Sequence, residues 1–356
     1  MTGRNTNTTD PTPCPFCAFA SLTMPNNIVY LSDIRQRPRA FAAFERHRHT
    51  SIHWFVECFA ESLGVFLYTY AGVGSQALYV LGNILQIPGA SSILQIGLAY
   101  ACGILLALSV ASATSGGHFN PAITVTQLVF HRFPPLKGLR YLAAQIFGGY
   151  IACLLIYVQY KTLILDASAV LDAAPGGSGP IFFTPNGPGG IFALSLQPGS
   201  TMGRAFVNEF VTDFILGITI FACLDPTNTL VPPSLGPMII AMAYAVAIWS
   251  FSANGLAANA ARDVGGRLVA LTIWGLPAGG GSYAAMAALT NIPATLLAYL
   301  TYDLLLSDSD RVIPAVHLEV INAHKNHRRV GSGRSLTPES EGMDHEKGGV
   351  GEVERV

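Results

Sequence analysis

Long apolar runs separated by short polar breaks fill the chain between Trp54 and Leu306, while both ends are polar. Six runs approach the roughly 20 residues a helix needs to cross a hydrocarbon core of about 30 Å. They cover residues 54–78, 93–111, 139–160, 204–224, 235–253 and 282–306. Backbone polar groups find no partner in lipid, so these runs must be helices; a β-barrel would show shorter, alternating segments. Two further apolar runs are too short to cross. "ITVTQLVF" follows the Asn-Pro-Ala of Asn120, Pro121 and Ala122, and a second short run follows Asn259, Ala260 and Ala261. Each suits a half-helix that enters the bilayer and stops near its midplane. The pattern predicts an all-α membrane protein of six transmembrane helices plus two re-entrant half-helices.

Composition supports this class. Of 356 residues, 51% are hydrophobic and only 12% charged, against about 25% charged in an average soluble domain. Basic residues flank the runs unevenly. Arg35, Arg37, Arg39, Arg46 and Arg48 precede the first run, Arg132, Lys137 and Arg140 follow the second, and Lys325, Arg328 and Arg329 follow the last. Residues 80–92 carry no charge. Both termini are therefore expected in the cytoplasm. No apolar run precedes the polar stretch from Arg35 to His49, so no secretory signal is expected.

The domain reading follows the same pattern. Residues 1–50 form a largely disordered cytoplasmic arm, 51–306 the membrane domain, and 307–356 a largely disordered cytoplasmic tail. Residues 161–203, rich in Gly and Pro ("DAAPGGSGPIFFTPNGPGG"), form an extracellular loop. The loop joins halves of about 51–160 and 204–306. Each half opens with a glutamate-bearing run, Glu61 in "FAESLGVFLYTYAG" and Glu209 in "FVNEFVTDFILGIT". Three spans are an odd number, so the second half must be inverted relative to the first. Such repeats place their site at the repeat interface near the midplane. Ala99, Gly103, Ala107 and Ala111, with Ala144, Gly148 and Ala152, form small-residue stripes that let membrane helices approach closely.

Cys58, Cys102, Cys153 and Cys223 lie in or beside spans as packing residues. Cys14 and Cys17 form a C-x-x-C with no second ligand pair, which reads as tail composition and not as zinc. The sequence shows no nucleophile–base pair and no metal cluster, so neither an enzyme nor a cofactor is expected, and no nucleic-acid partner.

The two asparagine segments carry the chemistry. Asparagine caps a helix, and proline at the first helical position loses only an N–H that would be unpaired there. Two inverted half-helices would meet at their positive N-termini, repelling cations, with the Asn120 and Asn259 amides offering N–H donors to a passing oxygen.

"SGGHFNPAIT", with Gly117 and His118, and "NAARDVGGRL" resemble the two motifs of the major intrinsic protein family, the aquaporins and aquaglyceroporins. The resemblance covers about residues 54–306, and Glu61, Glu209 and Gln145 fall where the family has them. It implies a passive channel for water and small neutral solutes that excludes protons and ions, assembled as a homotetramer in the plasma membrane. Counted from the two asparagines, the family's filter falls on Tyr100, Ala247, Leu256 and Arg262. Water-selective relatives typically have histidine at the position of Ala247. Alanine there leaves room, Tyr100 and Leu256 make an apolar wall, and Arg262 offers donors opposite it, which suits a small polyol such as glycerol. Asp263 resembles the glycerol-conducting branch. Glu61 and Glu209 are expected to accept N–H groups of the re-entrant loops. Ala260 departs from the second motif's proline, and Asn291-Ile292-Pro293 departs from the family's Gly-Pro, a change expected to alter packing more than selectivity. Asp213, one turn beyond Glu209, receives no role. In the tail, "RRVGSGRSLTPE" suggests phosphorylation at Ser332 or Thr337. The competing readings are a coupled secondary transporter, also built from inverted repeats and broken helices, and a closed scaffold.

Overall fold

A computed structural model describes residues 29, 31–35, 37–251 and 255–331. Cys14, Cys17, Ser332 and Thr337 lie outside the described residues. The chain divides at Arg46/His47 into two compact units, and the membrane domain belongs to the second.

The apolar runs fold as helices with recognisable starts and stops. After α1 (Arg39–Thr50) come α2 (His53–Ile84), α3 (Ile93–Ser115), the half-helix α4 (Pro121–Phe130) and α5 (Pro135–Asp172). The second half repeats the order with α6 (Met202–Leu224), α7 (Gly236–Phe251), the half-helix α8 (Ala260–Trp274), and a sixth span made of α9 (Gly281–Leu289) and α10 (Asn291–Thr301). A π turn, Tyr302–Leu306, and α11 (Ala315–Gly331) follow. Ser92 caps α3 by accepting the Gln95 N–H, and Thr201 caps α6 by accepting that of Arg204. Gly116, at φ 93°, ends α3 in the left-handed conformation that glycine adopts without strain.

Ile93–Ser115, Pro135–Asp172, Met202–Leu224 and the stretch Leu276–Leu306 are long and apolar enough to cross a membrane. Gly236–Phe251 is apolar but shorter.

Three elements differ from the sequence expectation. First, α5 runs on to Asp172, well past residue 160, and α2 runs to Ile84. The two extensions hold each other: Val80 and Leu81 pack with buried Ile164 and Ala167. The Gly/Pro-rich segment that remains is not a loose loop. It folds back through a short turn (Gly179–Phe182) and a 3₁₀ turn (Pro188–Ile191), burying Ile191, Phe192 and Ala193 in the same core. Second, the sixth span breaks at Thr290. Pro293 lacks the N–H that would reach Leu289, and its ring displaces that carbonyl. Third, helix covers 39–50 and 315–331, inside the arm and tail expected to be largely disordered. His317 of α11 is buried, its Nε2 3.1 Å from the Val231 carbonyl in the α6–α7 loop.

Packing interlocks the halves. The half-helix α8 packs on α5 of the first half, and the half-helix α4 packs on α10 of the second. Backbones touch where side chains are absent. A Cβ on Gly149 of α5 would lie 2.6 Å from the Ala261 carbonyl, and one on Gly265 of α8 would lie 2.6 Å from the Tyr150 nitrogen. Small residues thus bring the half-helix ends to the middle of the fold.

Candidate functional site

Each half-helix begins at an asparagine whose side chain caps it. Asn120 Oδ1 accepts the Ala122 N–H at 2.9 Å, and Asn259 Oδ1 accepts those of Ala261 at 2.9 Å and Arg262 at 3.4 Å. Pro121 and Ala260 occupy the first helical positions, where an N–H has no intrahelical partner. Proline is therefore dispensable for the hydrogen bonding of the second start. The residues preceding the asparagines, Phe119 (φ 47°) and Ala258 (φ 53°), both adopt the left-handed conformation. Non-glycine residues there carry strain of about 1–3 kcal/mol each, so the surroundings must hold them.

The strained carbonyls face the opposite asparagines. Asn120 Nδ2 donates to the Ala258 carbonyl at 3.2 Å, and Asn259 Nδ2 donates to the Phe119 carbonyl at 2.9 Å. The two segments therefore clasp each other about a local pseudo-twofold relation. Each amide nitrogen uses one hydrogen in this bond and has a second to offer. The Tyr68 hydroxyl donates to the Phe119 carbonyl at 3.1 Å.

Two buried glutamates hold the loops from behind. Glu61 accepts the Ser115 hydroxyl (2.6 Å), the His118 N–H (3.0 Å), the Phe119 N–H (2.8 Å) and Gln145 Nε2 (2.7 Å). Gln145 also donates to Thr124, whose hydroxyl meets His118 Nδ1 at 3.1 Å. Glu209 accepts the Ala257 N–H at 2.8 Å and the Ala258 N–H at 2.6 Å. Both carboxyls are fully buried, and their oxygens consume donors that the bent loops would otherwise strand. Asp213, 2% exposed, lies one turn beyond Glu209 on α6, and its Oδ2 is buried without a hydrogen-bond partner among the described residues.

Arg262 follows the second asparagine by three residues and is 3% exposed. Its Nε donates to the Tyr100 hydroxyl (3.0 Å), Nη1 to the Phe192 carbonyl (3.1 Å), and Nη2 to Gln76 Oε1 (3.0 Å) and the Ile191 carbonyl (3.1 Å). These bonds use four of the five guanidinium hydrogens and leave one on Nη1. Neutral oxygens fix the cation without neutralising it. The adjacent Asp263 turns elsewhere, pairing with Arg267 at 2.7 Å, and Arg267 in turn donates to the Leu194 and Gly279 carbonyls.

Of the four filter positions read from the sequence, the structure pairs Tyr100 with Arg262 by this hydrogen bond, and Ala247 with Leu256 in one apolar cluster with Leu216 and Ala258. Tyr244 on α7 packs against the cluster of Ala247 and against a second cluster that Tyr100 also borders. Ala247 also borders a cavity of about 210 Å³ between α6 and α7, lined by Thr212, Leu216, Ala243 and Phe251 among others.

Sequence reasoning missed Tyr244, Gln76, Arg267 and the carbonyls of Ile191 and Phe192. Gln76 was visible as an amide inside an apolar helix, and Arg267 as the fourth residue beyond Asp263, on the same helix face. Nothing local marks Tyr244 or the carbonyls, because tertiary folding brings them in. Among the described residues no group of His, Cys, Asp and Glu is arranged to hold a metal ion.

Comparison with known proteins fits this geometry. The family profile described as Major intrinsic protein matches residues 48–276. Aquaporin-3 of Laccaria bicolor is 54% identical over 304 residues, covering 85% of this chain and 92% of its own length. The glycerol uptake facilitator protein of Haemophilus influenzae is 31% identical over 221 residues, covering 61% of this chain and 80% of its own. Among solved structures, the aquaglyceroporin from Plasmodium falciparum matches in fold with a TM-score of 0.59 at 20% identity, covering 71% of this chain and 97% of that one.

Proposed function

The chain belongs to the major intrinsic protein family, and on that premise we propose that its clasped asparagine segments and Arg262 form the constrictions of a pore for water and glycerol. The protein is a passive membrane channel and not an enzyme. The observation that carries the reading is the convergence of donors. Two half-helix N-termini meet with their amide nitrogens cross-bonded, and a buried arginine nearby keeps one N–H unspent. Positive helix ends and a guanidinium repel cations, while neutral oxygens passing between them find donors.

In this reading Asn120, Pro121, Ala122, Asn259, Ala260 and Ala261 make the central constriction. Tyr100, Ala247, Leu256 and Arg262 make the filter. The small Ala247 beside an apolar wall admits a carbon chain, which favours glycerol over a water-only filter. Glu61, Glu209, Gln145, His118 and Asp263 hold the loops and the arginine segment in place. The channel domain spans 51–306 as a homotetramer in the plasma membrane, with its basic flanks in the cytoplasm.

The test is solute uptake into sealed proteoliposomes, with and without an imposed proton gradient. A channel equilibrates glycerol without accumulating it and ignores the gradient. Accumulation driven by protons would instead establish a coupled transporter, and absence of all flux a closed scaffold.

A further inference from the structure

We propose that Asn291 is a third asparagine of the central constriction, a positioning residue that fixes the amide of Asn120. The proposal rests on the pore reading above.

The two motif asparagines satisfy their side-chain oxygens differently. Asn259 Oδ1 takes two backbone N–H groups, from Ala261 and Arg262. Asn120 Oδ1 takes one, from Ala122, and its second donor comes from another helix: Asn291 Nδ2 on α10, at 3.5 Å. Asn291 therefore stands where the Arg262 N–H stands in the other half. The orientation of its amide is dictated. Asn120 turns its oxygen to an N–H and its nitrogen to the Ala258 carbonyl, so only the NH₂ end of Asn291 can meet that oxygen favourably.

Fold and burial support the assignment. The break at Thr290 makes Asn291 the first residue of α10, the helix that packs against the half-helix α4. Asn291 is 1% exposed, and its Oδ1 is buried without a partner among the described residues. A polar side chain buried in a membrane-embedded helix is unfavourable, and a half-satisfied amide especially so. Its donor end is the part in use. With both asparagine oxygens occupied, only N–H groups are left to face a permeating molecule. Without Asn291, the Asn120 amide loses one of the contacts that stop it turning its oxygen into the path.

The experiment measures glycerol and water flux per inserted copy, with proton leak, for purified full-length protein in liposomes. Asn291→Leu and Asn291→Ala remove the donor; each is expected to lose about fivefold in glycerol flux, the effect of one hydrogen bond, and to gain proton leak. Asn291→Asp keeps the shape. Protonated, it donates to Asn120 as the amide does; ionised, it sets a carboxylate against an oxygen. Its glycerol flux is expected to match the wild type in acid buffer, where the Leu and Ala variants stay low. Normal flux in a folded Leu or Ala variant would overturn the proposal. So would an Asp variant as impaired as Leu at every pH, which would indicate packing alone. An inactive wild type would instead defeat the pore reading itself.

Discussion

The two asparagine segments share a design and differ in what reinforces it. Both cap a half-helix, both sit behind a left-handed residue, and both donate to the other's strained carbonyl. The first has Pro121, a glutamate that gathers four donors, and Asn291 on its oxygen. The second has Ala260, a glutamate that gathers two backbone N–H groups, an additional cap bond from Arg262, and the anchored guanidinium. The second motif can lose its proline because its start is held by hydrogen bonds that proline would not supply. Similar backbone geometry is thus reached by two different sets of contacts.

The largest expected effect breaks the clasp. Asn120→Asp removes the donor to the Ala258 carbonyl and places a carboxylate between the segments. Neutral-solute flux should fall more than about tenfold at normal membrane insertion. Asn259→Asp removes the shorter clasp bond, the 2.9 Å one to the Phe119 carbonyl, and places a carboxylate at the same point, so it should lose as much. Equal, unchanged fluxes in swelling assays would show that neither amide faces the path.

The glutamates should separate next, in stability. Glu61→Gln retains one acceptor oxygen and strands two of four donors, costing about 1–3 kcal/mol for each. In Glu209→Gln one oxygen still reaches both N–H groups, since Glu209 Oε1 lies 3.1 Å from the Ala257 nitrogen and 2.6 Å from that of Ala258. The new amide nitrogen replaces Oε2, so the Ala257 N–H gives up its 2.8 Å bond and keeps only the longer one to Oε1. Thermal unfolding in detergent should show a larger loss for the first than for the second; the reverse order would contradict the bonding described.

Ala247→His tests the filter with a smaller, selective effect. Imidazole narrows the space beside Leu256 and adds a polar group, so glycerol flux should drop severalfold more than water flux. The neighbouring cavity can absorb part of the ring, and overpacking is limited to about 1–3 kcal/mol. A proportional fall in both fluxes that follows protein level would place Ala247 in packing alone.

Ala260→Pro is the mildest. Proline at the first helical position restricts the unfolded chain and should stabilise by about 0.4–1 kcal/mol, with flux unchanged. Loss of folded protein in size-exclusion profiles would mean that position 260 needs its N–H.

Much of this was legible in the sequence because membrane burial writes itself into composition and because caps are local. Asn120 and Asn259 were readable as helix starts, and the buried glutamates as acceptors, from the segments that contain them. The overrun of α5 to Asp172 was hidden because Lys161, Asp166 and Asp172 break the apolar pattern, while Ile164 and Ala167 carry the packing on the other face. The segment around Ile191 looked like a loop, since its Gly and Pro residues mask backbone carbonyls whose use depends on Arg262 arriving from the other half. Asn291 was assigned to packing for the same reason: its partner lies 171 residues away.

The central claim is that the clasped segments and Arg262 form an open path for neutral solutes. Stopped-flow swelling of proteoliposomes under separate water and glycerol gradients tests it most directly. The account predicts that wild-type protein raises both permeabilities well above those of empty liposomes, without raising proton conductance. Permeabilities no higher than those of protein-free liposomes, with the protein folded and inserted, would contradict it.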